Sequence, residues 1–220
     1  SVIYTDDQVG SAIYPLLVQP NDFTVGALFN DSLVVNDPST SDQLIRYSTP
    51  GYPEYQPTPY FMYFPTEHKD TINGMAVVND RLVVLGTNAT HVVTWLPTVA
   101  QLTANQGRVV ESLSNGAGCV GKRAYTKVDT PQGEFVVWVS QRGLEWANGV
   151  QWDDACPDWS SDQVTGTLSS AVLVNNKELF RLELFDGTTR WDFYYHPTLL
   201  KGNRLRLLGP HTAPATILGA

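Results

Sequence analysis

A strand–turn–strand pattern that recurs four times along the 220-residue chain is the feature that most constrains its fold. "VGALFNDSLVV" at 25–35 and "NGMAVVNDRLVV" at 73–84 share a glycine, a short apolar run, Asn-Asp and Leu-Val-Val. Each copy predicts a hairpin, because short Asn and Asp side chains hydrogen-bond their own backbone and tolerate left-handed conformations. The same plan returns in "AYTKVDTPQGEFVVWV" at 124–139 and in "AVLVNNKELFRLELF" at 171–185.

The spacing of these copies predicts a repeat architecture. The residues that open each second strand are 49, 53 and 44 positions apart: Leu33, Leu82, Phe135 and Leu179. Each copy is followed by a short aromatic segment that predicts a third strand: "LIRY", "HVVTW", "GLEW" and "TTRW". A unit of roughly 40 to 50 residues built from several strands is typical of a β-propeller, whose blades are four-stranded antiparallel sheets.

The turns of the third and fourth copies are less uniform than Asn-Asp. In the third copy the turn is predicted on Asp129, Pro131 and Gly133, and in the fourth on Asn175 and Asn176. The "LVVLG" and "FVVWVS" runs are apolar on both sides of the strand, which indicates sheets covered on both faces.

We therefore predict an all-β, β-propeller-like domain over residues 1–220, with about four to five blades. Its four repeat units are 23–65, 66–112, 116–163 and 164–200. The two terminal segments, 1–22 and 201–220, close a ring or form a partial blade. The chain is alternatively an incomplete part of a larger ring, or a β-sandwich with similar turns. "GNRLRLLGP" at 202–210 resembles the second-strand motif but breaks the period.

Composition and charge agree with strands joined by turns and disfavour nucleic-acid binding. The chain has 17 Gly, 14 Pro, 11% aromatic and only 16% charged residues, which favours sheets over helices with charged surfaces. Its formal net charge of −8 repels phosphate backbones, so no specific nucleic-acid binding is expected. No apolar stretch approaches the ~20 residues of a membrane helix, and no signal peptide or membrane insertion is predicted.

The stretch "WDDACPDW" at 152–159 is the most site-like in the chain. Carboxylates beside aromatic side chains can bind a cation or a sugar, and propeller glycosidases use paired carboxylates as acid and base or nucleophile. The residues of this candidate binding site are Trp152, Asp153, Asp154, Asp158 and Trp159. The alternative interpretation is an acidic, solvated loop whose tryptophans pack on a sheet edge.

Other signatures of catalysis or cofactor binding are missing from the sequence. Cys119 and Cys156 lack the C-x-x-C spacing of a zinc or redox site, and fit a disulfide or two buried thiols equally well. The four histidines have no metal-site spacing and are expected to be ordinary: His68, His91, His196 and His211. There is no phosphate loop, dinucleotide fingerprint or nucleophile elbow. We expect no cofactor, no resident metal, no catalytic residue and no enzyme activity.

Residues 72–150 resemble β-propeller proteins found in the tails of podovirus-type tailed phages. These proteins are the tail hub or nozzle proteins and the packaged-DNA stabilisation proteins. The resemblance rests on a strand pair ending in R-L-(apolar)-G, an aromatic third strand, a "G-C/V-(A/G)-(K/R)" entry and an "(F/V)-W-(L/V)-S-x-x-G-(L/V)" strand. The matching residues are Arg81, Leu82, Gly86, Trp95, Gly118 to Arg123, Phe135, Trp138, Val139, Ser140, Gly143, Leu144 and Gly149. Where some members carry an arginine-rich segment, this chain has "WSSDQVTG".

The resemblance implies a structural virion component in the tail, present in several symmetric copies around a DNA channel. Its implied partners are other tail proteins, namely the adaptor, the portal, and a tail fibre or needle, together with further copies of itself. The net negative charge of the chain has a physical role there, because a negatively charged channel wall does not bind the DNA phosphates and lets the genome pass during ejection. The alternative function is a carbohydrate-binding or glycoside-hydrolysing propeller that uses the 152–159 stretch.

Overall fold

The computed structural model describes residues 23–64, 70–98, 110–115, 118–130, 133–154, 170–175, 180–185, 190–195 and 207–211. All regular structure in these residues is β, and it comprises sixteen strands in four sheets of four. The prediction of an all-β chain is confirmed. With no helix in these ranges, none is present that could span a membrane.

Each sheet is an antiparallel meander, in which strands adjacent in sequence are adjacent in space. Sheet 1 contains β1 (Gly26–Phe29), β2 (Ser32–Asn36), β3 (Leu44–Tyr47) and β4 (Phe61–Tyr63). Sheet 2 contains β5 (Ile72–Val78), β6 (Arg81–Gly86), β7 (Ala89–Val93) and β8 (Val110–Asn115). Sheet 3 contains β9 (Tyr125–Thr130), β10 (Gly133–Val139), β11 (Leu144–Ala147) and β12 (Trp152–Asp154). Sheet 4 contains β13 (Ser170–Asn175), β14 (Phe180–Phe185), β15 (Arg190–Tyr195) and β16 (Leu207–His211).

The Asn-Asp pairs form the tight hairpin turns that the sequence predicts. Asn30 and Asp31 have φ of 49° and 59°, and Asn79 and Asp80 have φ of 46° and 57°. Positive φ at both central residues defines the type I′ turn, whose twist matches that of the flanking strands. The two copies therefore specify the same backbone geometry by the same local chemistry.

The other two turns differ from prediction. Thr130 pairs with Gly133, so Asp129 lies in β9 and Gly133 in β10, and the two residues between these strands lie outside the described residues. Asn175 pairs with Phe180, so Asn175 belongs to β13 and the connection is residues 176–179, outside the described residues. The prediction of a turn on Asn175 was wrong because cross-strand pairing extends the strand beyond its apolar run.

The third and fourth strands of each sheet can also be compared with the repeat that the sequence predicts. Three of the predicted aromatic third strands hold their aromatic residue, Tyr47, Trp146 and Trp191, but Trp95 lies beyond the end of β7 at Val93. Each sheet has four strands, as predicted for each unit, although the sequence pattern indicated only the first three. The stretch 202–210, which broke the period, contributes most of β16, the fourth strand of sheet 4.

The sheets pack in chain order, and their first strands form the line of contact. β1 packs beside β5, β5 beside β9 and β10, and β13 beside β9 and β10. Within the described ranges, no strand of sheet 4 packs against sheet 1 to a similar extent. Among the described residues, the array is therefore open between its first and last sheets.

The inner sheets are apolar on both faces, as their sequences predict. In β6, Leu82 and Val84 join the core shared with sheet 1, whereas Val83 and Leu85 join the core shared with sheets 3 and 4. Sheet 4 buries Leu182 and Leu184 on one face. Arg181 and Glu183, on its other face, form an ion pair of 2.5 Å.

One Asn-Asp turn also ties two sheets together. The Asn79 side chain donates to the carbonyl oxygens of Glu134 at 2.9 Å and Asn148 at 3.0 Å, and its Oδ1 accepts from Glu134 N. These bonds hold the tip of the β5–β6 hairpin against sheet 3.

Replacing Asn79 with glycine is expected to lower the free energy of unfolding by about 1–2 kcal/mol, because glycine keeps the positive φ but removes the inter-sheet hydrogen bonds. The matched control is Asn30→Gly, at the same turn position but without such bonds in the described residues, and it is expected to change stability little. Urea denaturation of both variants measures the difference. Equal losses at the two sites would show that the bonds of Asn79 contribute nothing.

Candidate functional site

The predicted acidic site is partly described, and it lies on a strand instead of a loop. Trp152, Asp153 and Asp154 form β12, the last strand of sheet 3, which pairs with β11. Successive residues of a strand lie on opposite faces of the sheet, so positions 153 and 154 do not share a face. Asp158 and Trp159 lie outside the described residues. The described part therefore brings no two of the predicted carboxylates together.

Trp152 already has a cationic neighbour. The Arg142 guanidinium carbon lies 5.5 Å from the centre of the Trp152 ring, a cation–π distance. Trp152 is half-buried, and Asp153 is exposed. Arginine contact on the indole leaves less of the ring for the stacking that a sugar site needs.

A second polar site, which the sequence did not reveal, lies between sheets 1 and 2. It is a small cleft lined by Gln43, Phe64, Asp70, Thr71, Ile72, Val84, Gly86 and His91. Two of these side chains, Asp70 and His91, are titratable and almost fully buried, with 4% and 7% exposure. Buried ionisable groups normally have a partner, so this pair is the candidate functional site.

Asp70 is held by backbone donors immediately before β5. Its Oδ1 accepts hydrogen bonds from Thr71 N at 2.9 Å and Asn88 N at 3.0 Å, which fixes the β6–β7 turn to the start of β5. Its Oδ2 is buried and has no hydrogen-bond partner in the described part of the chain. Gly86 makes this placement feasible, because a Cβ at that position would lie 2.5 Å from Asp70 Oδ2.

His91 lies in the middle of β7 and faces sheet 1. Its ring is tilted against Phe64, with ring centres 5.3 Å apart, and its Nε2 is buried without a hydrogen-bond partner among the described residues. Burial lowers the pKa of His91, and the negative charge of Asp70 partly opposes that effect. The imidazole is therefore neutral near pH 7, with one nitrogen able to accept a hydrogen bond or bind a cation.

No pattern in the sequence indicates this pair. His91 was expected to be an ordinary histidine, and Asp70 was not singled out, because the two are 21 positions apart and lie on different elements. In the described residues, no three side chains of His, Cys, Asp and Glu converge as a metal site. Cys119 has a free, buried thiol whose pKa burial raises to about 12, so it is neutral and unreactive.

Comparisons with known proteins leave the family open. No family model and no curated protein matches the chain. Among solved structures, the chain is similar to the extracellular domain of a putative one-component system from B. thetaiotaomicron, at 15% sequence identity and a TM-score of 0.48. The match covers 86% of this chain and 22% of that chain. This chain thus spans about a fifth of that structure, and a likeness this distant carries no functional conclusion.

Proposed function

We propose that the chain is a non-enzymatic structural module, an arc of propeller blades within a multimeric bacteriophage tail assembly that surrounds the DNA channel. The observation that carries the proposal is the packing of four meander sheets in chain order, with their first strands in contact. Radially arranged blades place their first strands next to one another around an axis.

The apolar faces of the sheets support the blade interpretation. Sheets 2 and 3 are covered on both sides by their neighbours, which an isolated sheet cannot achieve. Sheet 1 has exposed apolar side chains on the face turned away from sheet 2: Leu28 at 71%, Phe61 at 43% and Tyr63 at 49%. Such a face favours a further blade beside sheet 1, supplied by more of the polypeptide or by another copy.

The residues that carry the resemblance to tail propellers act at junctions between sheets. Arg81 Nη1 donates to the Gly149 carbonyl at 3.3 Å, which joins sheet 2 to sheet 3. Gly118 packs on the backbone of Gly86 and Thr87. The motif residues thus have a physical role in blade packing, which supports a propeller but not any particular reaction.

The Ser140 to Leu144 part of the motif also has a structural role, because it forms the tight turn after β10. The Ser140 hydroxyl accepts hydrogen bonds from Arg142 N at 3.0 Å and Gly143 N at 3.1 Å, and it lies 3.0 Å from the buried carboxylate of Glu145. This serine closes the β10–β11 turn, where backbone donors need partners. Its contacts are those of a turn residue and do not suggest a nucleophile with a base beside it.

Electron cryomicroscopy of the purified chain tests the architecture. We expect the four sheets to be arranged around an axis with their first strands innermost, and the chain to form a symmetric multimer. A monomer with two sheets packed face to face as a sandwich would contradict the proposal.

The tail assignment has a separate test. An antibody against the chain is expected to label the tails of virions whose genome encodes it, and the purified chain is expected not to retard duplex DNA at physiological salt, because its net charge is −8. Unlabelled virions would exclude a tail role, even if the propeller arrangement is correct.

A further inference from the structure

We propose that two copies of the chain associate head to tail, with the outer face of sheet 4 of each copy against the outer face of sheet 1 of the other. In this arrangement β13 of one copy lies beside β1 of its partner, and the two four-sheet arrays close a ring of eight blades. The inference rests on the proposed arrangement of the sheets as blades and not on the tail role. It starts from apolar side chains that are exposed at both ends of the array.

The first strands show where the stacking of sheets stops. Among the described residues, large apolar side chains are exposed on two first strands only: Leu28 of β1 at 71% and Val174 of β13 at 48%. Leu28 lies on the face of sheet 1 turned away from sheet 2. Val174 lies on the opposite face of β13 from Ala171 and Leu173, which belong to the core shared with sheet 3. The two exposed side chains therefore mark the two free faces of the array.

The repeat shows what covers the position of Leu28 in another sheet. Three residues are equivalent because they pair with Leu33, Leu82 and Phe135, in that order: Leu28, Val77 and Val128. Val77 packs against the core that sheets 1 and 2 share, and Val128 is only 4% exposed. Sheet 2 thus has a preceding sheet over this position, whereas sheet 1 has none in the described part of the chain.

A second copy of the chain supplies the missing sheet by continuing contacts that are already present. Within one chain, β5 packs beside β1, β9 beside β5 and β13 beside β9, so β1 of a partner is next in the series beside β13. A repeat array that ends in solvent has a polar outer face on its terminal unit, which the exposed Leu28, Phe61 and Tyr63 do not provide. A face-to-face pairing of two copies of sheet 1 would cover Leu28 but leave Val174 exposed.

The number of sheets limits the ring to two copies. Propellers typically have about four to eight blades. Two four-sheet chains reach that upper limit, and three would exceed it. A ring of two copies contains the same contact twice, so both free faces of each copy are covered.

The charged side chains described on the two free faces are paired within the chain. On sheet 4, Arg181 and Glu183 form an ion pair of 2.5 Å, and on sheet 1, Arg46 is paired with Asp37. The Arg181–Glu183 pair lies on β14, one strand away from β13, and the rim of an interface is normally polar. The contact therefore has an apolar centre at the first strands and a polar border beside it.

Size-exclusion chromatography with light scattering, run on the full chain over a range of concentrations, tests the contact. We expect the mass of a dimer. Leu28→Asp and Val174→Asp are each expected to raise the dimer dissociation constant about a hundredfold or more, because each places an unpaired charge in both contacts of the ring. The matched control is Val150→Asp, at an apolar residue of 61% exposure between β11 and β12, which is expected to leave the dimer unchanged.

Cross-linking distinguishes the head-to-tail contact from a face-to-face one and does not require a charged substitution. With a short bismaleimide, an equal mixture of Leu28→Cys and Val174→Cys chains is expected to give cross-linked dimers. Neither variant alone is expected to exceed the background of the wild type, which accounts for the native thiols. Circular dichroism checks that every variant is folded.

Three results would overturn the inference: an oligomeric state other than a dimer, a dimer that both Asp variants leave intact, and cross-linking of Leu28→Cys alone. Each of them would leave the radial arrangement of the four sheets to be judged by electron cryomicroscopy. Conversely, unlabelled virions would exclude the tail role without affecting the dimer. The failure of this contact and the failure of the proposed function are therefore distinguishable.

Discussion

Replacing Asp37 with asparagine is expected to lower the free energy of unfolding by about 3–5 kcal/mol, the largest effect we predict for a single substitution. Asp37 Oδ2 lies 2.5 Å from Arg46 Nε, and the two side chains are only 1% and 8% exposed. Removing one partner of a buried ion pair leaves the other charge without compensation. Chemical denaturation at pH 7 measures the loss.

The coupling between the two residues separates this effect from a local packing defect. Arg46 also donates to the Thr58 carbonyl at 3.3 Å and lies over the Phe61 ring. In the double variant Asp37→Asn with Arg46→Met, no unpaired charge remains, so the loss is expected to be much smaller than the sum of the two single losses. Additive losses would show that the pair is not coupled.

The same pair gives the chain an acid-sensitive component of stability. Burial raises the pKa of Asp37, but hydrogen bonds from Ser39, Arg46 and Thr40 and the charge of Arg46 outweigh it, so the pKa lies below its usual value. A depressed folded-state pKa contributes stability that is present above the unfolded pKa of about 3.9 and is lost as the pH falls below it. The difference between wild type and Asp37→Asn should therefore narrow from pH 7 to pH 3. A constant difference would contradict this assignment.

Replacing Gly118 with alanine is expected to lower the free energy of unfolding by about 3 kcal/mol. A Cβ at this position would collide with backbone atoms of Gly86, Thr87 and Asn88, which cannot move aside as a flexible side chain can. The collision would also disturb the 2.7 Å hydrogen bond from Cys119 N to the Gly86 carbonyl, which connects sheet 2 to the segment entering sheet 3.

The control for Gly118 lies three residues away. A Cβ at Gly121 would meet nothing within 4 Å, so Gly121→Ala is expected to be neutral or to stabilise by about 0.4–1 kcal/mol through the unfolded state. Thermal denaturation of both variants makes the comparison. Equal melting temperatures for the two variants would show that the junction tolerates a methyl group at position 118.

The sequence predicted the features of this fold that depend on local chemistry. Asn30-Asp31 and Asn79-Asp80 specify their turns because their side chains tolerate positive φ. The apolar run of β6 predicted a sheet covered on both faces because its residues point alternately to the two sides. These patterns were sufficient to predict the all-β class.

The short outer strands were harder to predict. β4 has three residues, and β12 is the polar Trp152–Asp154, which was interpreted as a loop and a candidate site. Strands this short are formed by pairing with β3 and β11, and their sequences carry little pattern of their own. The predicted carboxylate site accordingly became a strand whose adjacent residues face opposite ways.

By itself, the sequence determined the repeat, the two Asn-Asp turns and the apolar strands, because each depends on residues that are neighbours in the chain. Only the tertiary structure decided which polar side chains meet. Asp70 reaches the cleft of His91 because Gly86 leaves room beside it, and Asp37, directly after β2, meets Arg46 because β2 and β3 pair in a register that brings the two positions together. Such contacts depend on strand register and on the distance between sheets, which are set by the packing of the whole core and leave no periodic trace in the sequence.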